Sequence, residues 1–486
     1  MSPVSVALDS MLIDGSWIAP GDRSVIEVVD PATEEVVGSI PVATKADLDR
    51  ALGAAERGWH VWRETDAWTR SAVLRTAAAL IRERADQIAD ALTGETGKPL
   101  GEAKAEVLAG ADQFDWCADE ARRIYGRTVD GHSRDTRLLV LRQSVGPVAA
   151  FTAWNFPALL PSRKVAPALA AGCSIIVKPA KESPMTMLAL AHCLVDAGLP
   201  DGVLNVVTGD PAAISEHLLA SPVIRKVSLT GSLPVGRLLM SLASDRVVPV
   251  SMELGGHAPV LVFPDANLDA AVDLCVTAKF RNCGQVCISP TRFFVHEAIA
   301  SDFVAGFVAR ASALRVGDPR LPGTDVGPLA SARRRDSVEG LVADAVAKGA
   351  VLATGGRRCD PCGTGRGFFF EPTVLTGVED GMAVMRDEPF GPLAPVATFS
   401  DLDAVLARAN ATPYGLAGYV FTRDLATAFA ASEGLEVGMV GVNNLVIATA
   451  EAPFGGVKGS GFGREGGSEA TEPYTITKYV NLRLVP

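Results

Sequence analysis

Basic residues are the minority charge in this chain: 45 Lys and Arg stand against 56 Asp and Glu, a formal net charge of −11 at pH 7 over 486 residues. A nucleic-acid partner calls for a basic patch or stripe. The balance argues against one, and any anion must be met by locally placed Lys or Arg. The opening MSPVSVALDSMLIDG has no basic stretch ahead of an apolar run and carries Asp9 early, so a secretory leader is not expected. A membrane segment is not expected either. The longest tempting apolar stretch, VGPVAAFTAWNFPALLPS at 145–162, holds Pro147, Pro157 and Pro161, and a spanning helix of ~20 residues tolerates prolines poorly. Cysteine is sparse, at eight residues. Without an export signal these are expected to be free thiols in a reducing cytoplasm. Repeats and low-complexity tracts are absent. With 48% hydrophobic and 21% charged residues, the composition is that of a compact globular protein rather than a disordered one.

What is present is length and alternation. Chains beyond roughly 250–300 residues divide their core, so two large lobes are expected. Residues 44–124 have apolar positions at three- and four-residue steps among Arg, Glu and Asp, the helical period. From about 145, short β-rich runs (VGPVAAFTAW, CSIIVKP, GVLNVVTG, IRKVSLTG) alternate with helical stretches such as SPMTMLALAHCLVDAGL. The alternation restarts after 253 with APVLVF, a helix near 267–280, and TRFFVHE. Strands alternating with helices indicate parallel sheets. ALRVGDPRLPGTDVGPL and RRCDPCGTGRGFFF read as surface loops. Two runs lie outside both lobes: RDTRLLVLRQ (134–143) and TITKYVNLRLV (475–485), the latter with Ile476, Val480, Leu482 and Leu484 on one face. Lone strands need partners, so a homodimer or homotetramer is expected. The fold class is α/β: two parallel-sheet lobes and a small β arm. The expected boundaries are 1–122 with 145–254, then 255–465, with 123–144 and 466–486 as the oligomerisation arm.

The chemistry concentrates in KFRNCGQVCISP (279–290), where Cys283 and Cys287 lie four apart. A metal site is not expected: no His is near, the only CxxC is Cys359 with Cys362 alone in a loop, and structural zinc needs four ligands. Buried filler is the competing role for a free cysteine, but polar Asn282, Gly284 and Gln285 beside the pair fit a plain core poorly. A thiol attacks as thiolate, titrates near ~8.5 when free, and needs a base and an oxyanion holder. MELGGHAP (252–259) places Glu253 among apolar neighbours, where a carboxyl with a raised pKa can act as a general base. A salt-bridged carboxylate is the alternative. TAWNFPALLPSRK (152–164) places Asn155 before Phe156-Pro157, as an oxyanion donor or a turn asparagine.

WNFP, MELGG and GQVC together resemble the NAD(P)-dependent aldehyde dehydrogenases, in the same order and at similar spacing. So do GSLPVG (231–236), DEPFGP (387–392) and APFGGVKGSGFGREG (452–466), and the resemblance runs from about residue 10 to the end. It implies that Cys287 attacks an aldehyde, that Asn155 and the Cys287 N–H hold the oxyanion, that hydride passes to a nicotinamide, and that Glu253 activates water against the resulting thioester. Glu465 matches a second glutamate used in proton relay, with a surface carboxylate as the alternative. Cys283 needs no sulfur in the family. It is read as small filler, with a reversible disulfide to Cys287 the other possibility.

No GxGxxG follows an early strand, so the usual dinucleotide fingerprint is absent. By resemblance, Gly231, Ser232 and Gly236 bring a helix N-terminus to the pyrophosphate. Trp154 and Leu254 join that site, Lys178 meets the adenine ribose, and Glu388 and Phe390 position the nicotinamide end. Lys181 stands where NAD-preferring relatives frequently carry glutamate, so NADP is expected to be accepted alongside NAD; Glu182 next door opposes this. Arg163, eight after Asn155, and Arg281, six before Cys287, match arginines that hold the substrate carboxylate in the succinate-semialdehyde branch. The motifs around Cys287 and Glu253 also look like a bacterial 2-oxoglutarate-semialdehyde dehydrogenase. A guanidinium fork suits a carboxylate. A helical path of six residues rises roughly 9 Å, which would let Arg281 overhang the pocket. Thr449 stands where that branch tends to place serine or another polar group, so the chain length of the substrate stays open. The expected reaction is irreversible oxidation of an ω-carboxylate aldehyde. An uncharged aldehyde, a CoA-acylating reaction and a non-catalytic relative are the alternatives.

Overall fold

The computed structural model describes residues 8–484. The first lobe holds an eight-stranded sheet in the spatial order Gly461–Phe462, Val250–Glu253, Lys226–Thr230, Val148–Phe151, Ile175–Lys178, Leu204–Val206, Met11–Ile13, Ser16–Ile18. The five strands from Val250–Glu253 to Leu204–Val206 run parallel. VAAF and IIVK are buried at every position, as strands covered on both faces must be. The sequence reading of parallel sheets holds at the centre of this lobe. Its edges are antiparallel, since short hairpins and returning segments can pair without a crossover helix.

Helices Lys45–Glu64, Ala67–Glu83, Ala85–Thr96 and Leu100–Glu120 cover this lobe. Thr44 opens the first with a capping box: its hydroxyl accepts the Asp47 N–H while the Asp47 carboxylate accepts the Thr44 N–H, satisfying two donors a helix start leaves open. The second lobe orders its strands as Val351–Thr354, Thr373–Thr376, Leu393–Phe399, Pro290–His296, Ala258–Val262, Ala417–Phe421, Met439–Val442. All pairs are parallel except the Val351–Thr354 edge. Helix Leu268–Phe280 falls where the apolar period placed it.

A three-stranded antiparallel sheet stands apart, made of Arg127–Asp130, Thr136–Ser144 and Thr475–Arg483. Ile476 lies opposite Gln143 and Leu482 opposite Arg137, and Ile476, Leu482 and Leu484 are exposed. The segment Gly461–Phe462, grouped with the second lobe on sequence, pairs instead with Met252 and Glu253 of the first. A Cβ on Gly461 would stand 1.9 Å from the Met252 carbonyl oxygen. Only glycine permits that approach, and the period of the flanking sequence does not reveal it. Among the described residues no helix is long and apolar enough to cross a membrane, and no cluster of three or more His, Cys, Asp or Glu could hold a metal.

Candidate active site

The two lobes meet at the chain crossing Glu253-Leu254-Gly255-Gly256. Glu253 ends its strand, and its carbonyl accepts the Gly231 N–H at 3.0 Å. A Cβ on Gly255 would lie 2.4 Å from Glu388 Oε2, and one on Gly256 would lie 2.5 Å from the Cys287 carbonyl oxygen. The glycine pair therefore lets the crossing thread between Glu388 and the Cys287 turn. Gly256 also donates its N–H to Glu388 Oε1 at 3.0 Å.

Cys287 is half-buried just ahead of strand Pro290–His296. Burial pushes its thiol up to about 12, with the Glu388 and Glu253 charges adding to the rise and Arg163 opposing it. The turn before it departs from the helical path expected on sequence. Arg281–Gly284 forms a short 3-10 segment in which Asn282 and Cys283 take φ of 49° and 54°, and Gly284 follows at 72°. Three successive left-handed residues redirect the chain, and left-handed backbone is costly for residues with a Cβ. Arg281 is consequently exposed, its guanidinium 5.5 Å from the Phe156 ring.

A hydrogen-bond network holds this turn. Asn155 is buried and donates from Nδ2 to the Gln285 carbonyl at 3.1 Å. Asn282 Nδ2 donates to the carbonyls of Asn155 (3.0 Å) and Gln285 (3.2 Å). Lys98 Nζ donates to the Asn155 carbonyl at 2.9 Å and pairs with Glu106. Glu106 Oε1 in turn accepts the N–H groups of Ala158 and Leu159 at 2.8 and 3.2 Å, at the start of helix Leu159–Ala170. A side-chain amide has two N–H groups. One of Asn155's locks its orientation on Gln285, and the other is available to an oxyanion. Lys98 and Glu106 were not singled out on sequence. The only available signal was a charged pair eight apart entering a helix, which does not say where its partners lie.

Glu253 is buried, and neither of its carboxylate oxygens has a hydrogen-bond partner. Among the described residues it makes no ion pair, which removes the salt-bridge alternative. Burial holds its carboxyl well above the usual carboxylate range, and the Glu465 charge adds to the effect. Glu465 is buried rather than on the surface. Its Oε1 pairs with Lys164 Nζ at 2.6 Å, while its Oε2 has no partner. Lys164 also donates to Ser228 Oγ at 3.2 Å. It was another residue missed on sequence, although it adjoins Arg163. Cys283 is packed in the core with its thiol pushed far up by burial, and all eight cysteines are free.

Arg163 is 2% exposed. Its guanidinium lies 4.1 Å from the Phe454 ring, and Nε and Nη2 have no hydrogen-bond partner. It makes no ion pair among the described residues, although Glu465, Cys287 and Glu253 all lie within its electrostatic reach. Thr449 is half-buried, its carbonyl 3.4 Å from where a Cβ on Gly466 would stand, so its loop runs beside Glu465.

The remaining residues meet the requirements of a dinucleotide. Helix Leu233–Ser244 begins at Ser232 without a side-chain cap, which leaves its first N–H groups and the positive end of its dipole available to an anion. A Cβ on Gly236 would stand 2.8 Å from Leu254 Cδ1, so glycine lets this helix sit against the crossing. Lys178 ends its strand buried and without an ion pair among the described residues. Burial pushes its ammonium down to about 8, with Glu182 opposing. Lys181 and Glu182 are both exposed. The Trp154 and Phe390 rings meet edge-on at 5.5 Å. Glu388 is pushed up to about 7 by burial, against its bond from Gly256 and the charges of Arg334 and Lys279. An unpaired lysine, an uncapped helix start and an aromatic pair are donors and walls suited to phosphates, ribose and a flat ring.

The chain matches the aldehyde dehydrogenase family over residues 17–480. It is 42% identical over 473 residues to the succinate-semialdehyde dehydrogenase [NADP(+)] of Escherichia coli, covering 97% of each chain. It is 44% identical over 478 residues to a 3-sulfolactaldehyde dehydrogenase of Pseudomonas putida, covering 98% of each. Its fold superposes on the crystal structure of succinate-semialdehyde dehydrogenase from Burkholderia pseudomallei with a TM-score of 0.97, at 44% identity and 99% coverage of both chains. The chain belongs to the aldehyde dehydrogenase family and is an oxidoreductase.

Proposed function

We propose that this protein oxidises a short semialdehyde carrying a distal carboxylate, such as succinate semialdehyde, to the dicarboxylate, with NAD or NADP as the electron acceptor. Cys287 gives its thiol proton to solvent water, and the thiolate Sγ bonds to the aldehyde carbon as the carbonyl π pair moves onto the oxygen. The second N–H of Asn155 and the backbone N–H of Cys287 meet the developing oxyanion. A nicotinamide dinucleotide, held by Lys178, the helix start at Ser232 and the Trp154–Phe390 wall, would supply the acceptor for the hydride on that carbon. Glu253, with both carboxylate oxygens open, then takes a proton from the water that attacks the Cys287 thioester; the C–S bond breaks, releasing the acid and the Cys287 thiolate. Its presence favours hydrolysis over transfer to CoA. Glu465 and Lys164 offer that proton a way out. Catalysis by positioned bases and oxyanion donors is typical of acyl chemistry at cysteine.

The observation that carries the substrate class is Arg163, a buried guanidinium with open N–H groups. A buried charge without a partner is costly, and a substrate carboxylate would supply the partner. The relatives named for a carboxylate- and a sulfonate-bearing aldehyde support an anionic tail. Arg163→Ala is expected to lower kcat/KM for succinate semialdehyde by about 30- to 4000-fold, the range for removing one member of a buried charge pair, and to leave propanal oxidation nearly unchanged. Equal losses on both substrates would end the anchor reading in favour of an uncharged aldehyde. A panel of C3–C6 semialdehydes with 3-sulfolactaldehyde, run with each cofactor, measures this.

For the cofactor, the exposed ammonium of Lys181 favours a 2′-phosphate by charge. Lys181→Glu should shift the NADP-to-NAD ratio of kcat/KM toward NAD by about tenfold. An unchanged ratio would refute this role. The exposed apolar face of the three-stranded sheet supports assembly into a homodimer or homotetramer, and eight free thiols fit the cytoplasm. In this proposal residues 1–122 with 145–254 bind the cofactor, 255–465 carry the nucleophile apart from the strand Gly461–Phe462 that joins the first lobe's sheet, and 123–144 with 466–486 assemble.

A further inference from the structure

Outside the Cys287 site, a cavity of about 540 Å³ lies where helix Lys45–Glu64 faces the three-stranded sheet. Arg63, Arg70, Arg142, Arg225 and Lys478 line it, with Glu64 the single acid. On a chain of net charge −11 this is a concentrated reversal of sign. Arg63 pairs with Glu64 at 3.0 Å; the other four cations make no ion pair among the described residues.

Arg63, Arg142, Arg225 and Lys478 are exposed and Arg70 is half-buried, yet contacts within the protein orient four of the five. Trp59 is 6% exposed and donates from Nε1 to Ser144 Oγ at 2.9 Å. Two guanidiniums lie over its ring, Arg63 at 4.8 Å and Arg225 at 4.3 Å. The Arg225 stem crosses Gly146 so closely that a Cβ there would stand 2.4 Å from Arg225 Cδ. Arg70 Nη1 donates to the Thr65 carbonyl at 2.7 Å, and its Nε is buried without a partner. Arg142 Nη1 donates to Thr477 Oγ1 at 3.2 Å. A carbonyl, a hydroxyl and an aromatic face orient Arg70, Arg142, Arg63 and Arg225, and of these only Arg63 has an ion-pair partner among the described residues. Converging like charges repel, and pre-positioned guanidiniums are efficient oxyanion ligands because little ordering remains to be done. The volume falls in the range of small-molecule sites.

We propose that this cavity binds a multivalent oxyanion, of the phosphate or polycarboxylate class, and that the bound anion ties strands Thr136–Ser144 and Thr475–Arg483 to helix Lys45–Glu64. The site is independent of the reading of Cys287.

Calorimetric titration and thermal unfolding of the intact protein at constant ionic strength test this, with inorganic phosphate and citrate in separate arms and chloride as control. The expected result is a saturable rise in Tm with one or both oxyanions beyond chloride. The arm that saturates at lower concentration identifies the source. Arg225→Ala and the exposed-site variant Arg142→Gln should each weaken that binding by about tenfold while leaving aldehyde oxidation in anion-free buffer unchanged. Three outcomes would overturn the proposal: no saturable shift, a shift of the same size in both variants, or a loss of assembly mass in Arg225→Ala without added anion. The last would mean that carboxylates of a second copy fill the cavity.

Discussion

Cys287→Ala should reduce aldehyde oxidation by at least about 10⁴-fold, the scale of removing a covalent nucleophile, while nicotinamide dinucleotide binding and Tm stay close to wild type. The alanine removes one sulfur from a half-buried position that makes no structural hydrogen bond through its side chain to another residue's side chain, so a folding explanation is weak. The same sulfur carries a pH signature. Burial and the Glu388 and Glu253 charges push the thiol up to about 12, so in the free protein its thiolate fraction should grow about tenfold per pH unit throughout the neutral and mildly alkaline range. Iodoacetamide alkylation of Cys287, followed by peptide mass spectrometry, should therefore keep accelerating from pH 7 to 10. A plateau near 8.5 would mean the thiol lies in a wetter, more electropositive setting than its neighbours provide. Residual oxidation above about 1% in Cys287→Ala would remove the sulfur from the reaction altogether.

The parts of this site legible in the sequence were those where a residue type is forced by a local requirement. Gly255 and Gly256 could be read as a motif because a Cβ at either would collide with Glu388 or the Cys287 backbone. Glu253 stood out as an acid among apolar neighbours, and its burial follows from the strand it ends. The central strands were legible for the same reason: a run buried on both faces has no room for polar residues. What was not legible depends on distance along the chain. Lys98 reaches a carbonyl 57 residues away, and Lys164 reaches Glu465 across 301 residues. No periodicity encodes such a pairing. The turn at Asn282 and Cys283 failed for another reason. Neither residue favours left-handed backbone as glycine does, so the helical pattern does not reveal a place where bonds donated by Asn282 to Glu102, Gln285 and Asn155 fix a different path. The corrected path also divides the two arginines. Arg163 is enclosed beside the nucleophile, whereas Arg281 stands at the surface, where solvent screens its charge. The proposed anchor role therefore falls mainly on Arg163.

Glu253→Gln should separate the two halves of the proposed reaction. If Glu253 acts on the water that attacks the thioester, the first turnover remains available to the variant. Rapid mixing should then show a burst of reduced nicotinamide close to one per site, followed by a steady rate lowered by about 10²- to 10⁴-fold, the usual contribution of a general base. Loss of the burst together with the steady rate would assign Glu253 to deprotonating Cys287 instead. Stability gives an independent reading. The fold raises this carboxyl above its unfolded value, so above the unfolded pKa of about 4.3 the unfolded chain releases its proton more readily than the native one. The group thus withdraws stability as pH climbs from there towards its native pKa, and glutamine carries no such penalty. At pH 8 the variant should unfold at the same temperature as wild type or higher, despite being nearly inactive. A marked fall in Tm would instead make Glu253 a structural carboxylate whose open oxygens have partners in solution. Gain of stability with loss of turnover is expected where a fold holds a costly group for its chemistry, and an unpartnered acid at the seam of two lobes is such a group.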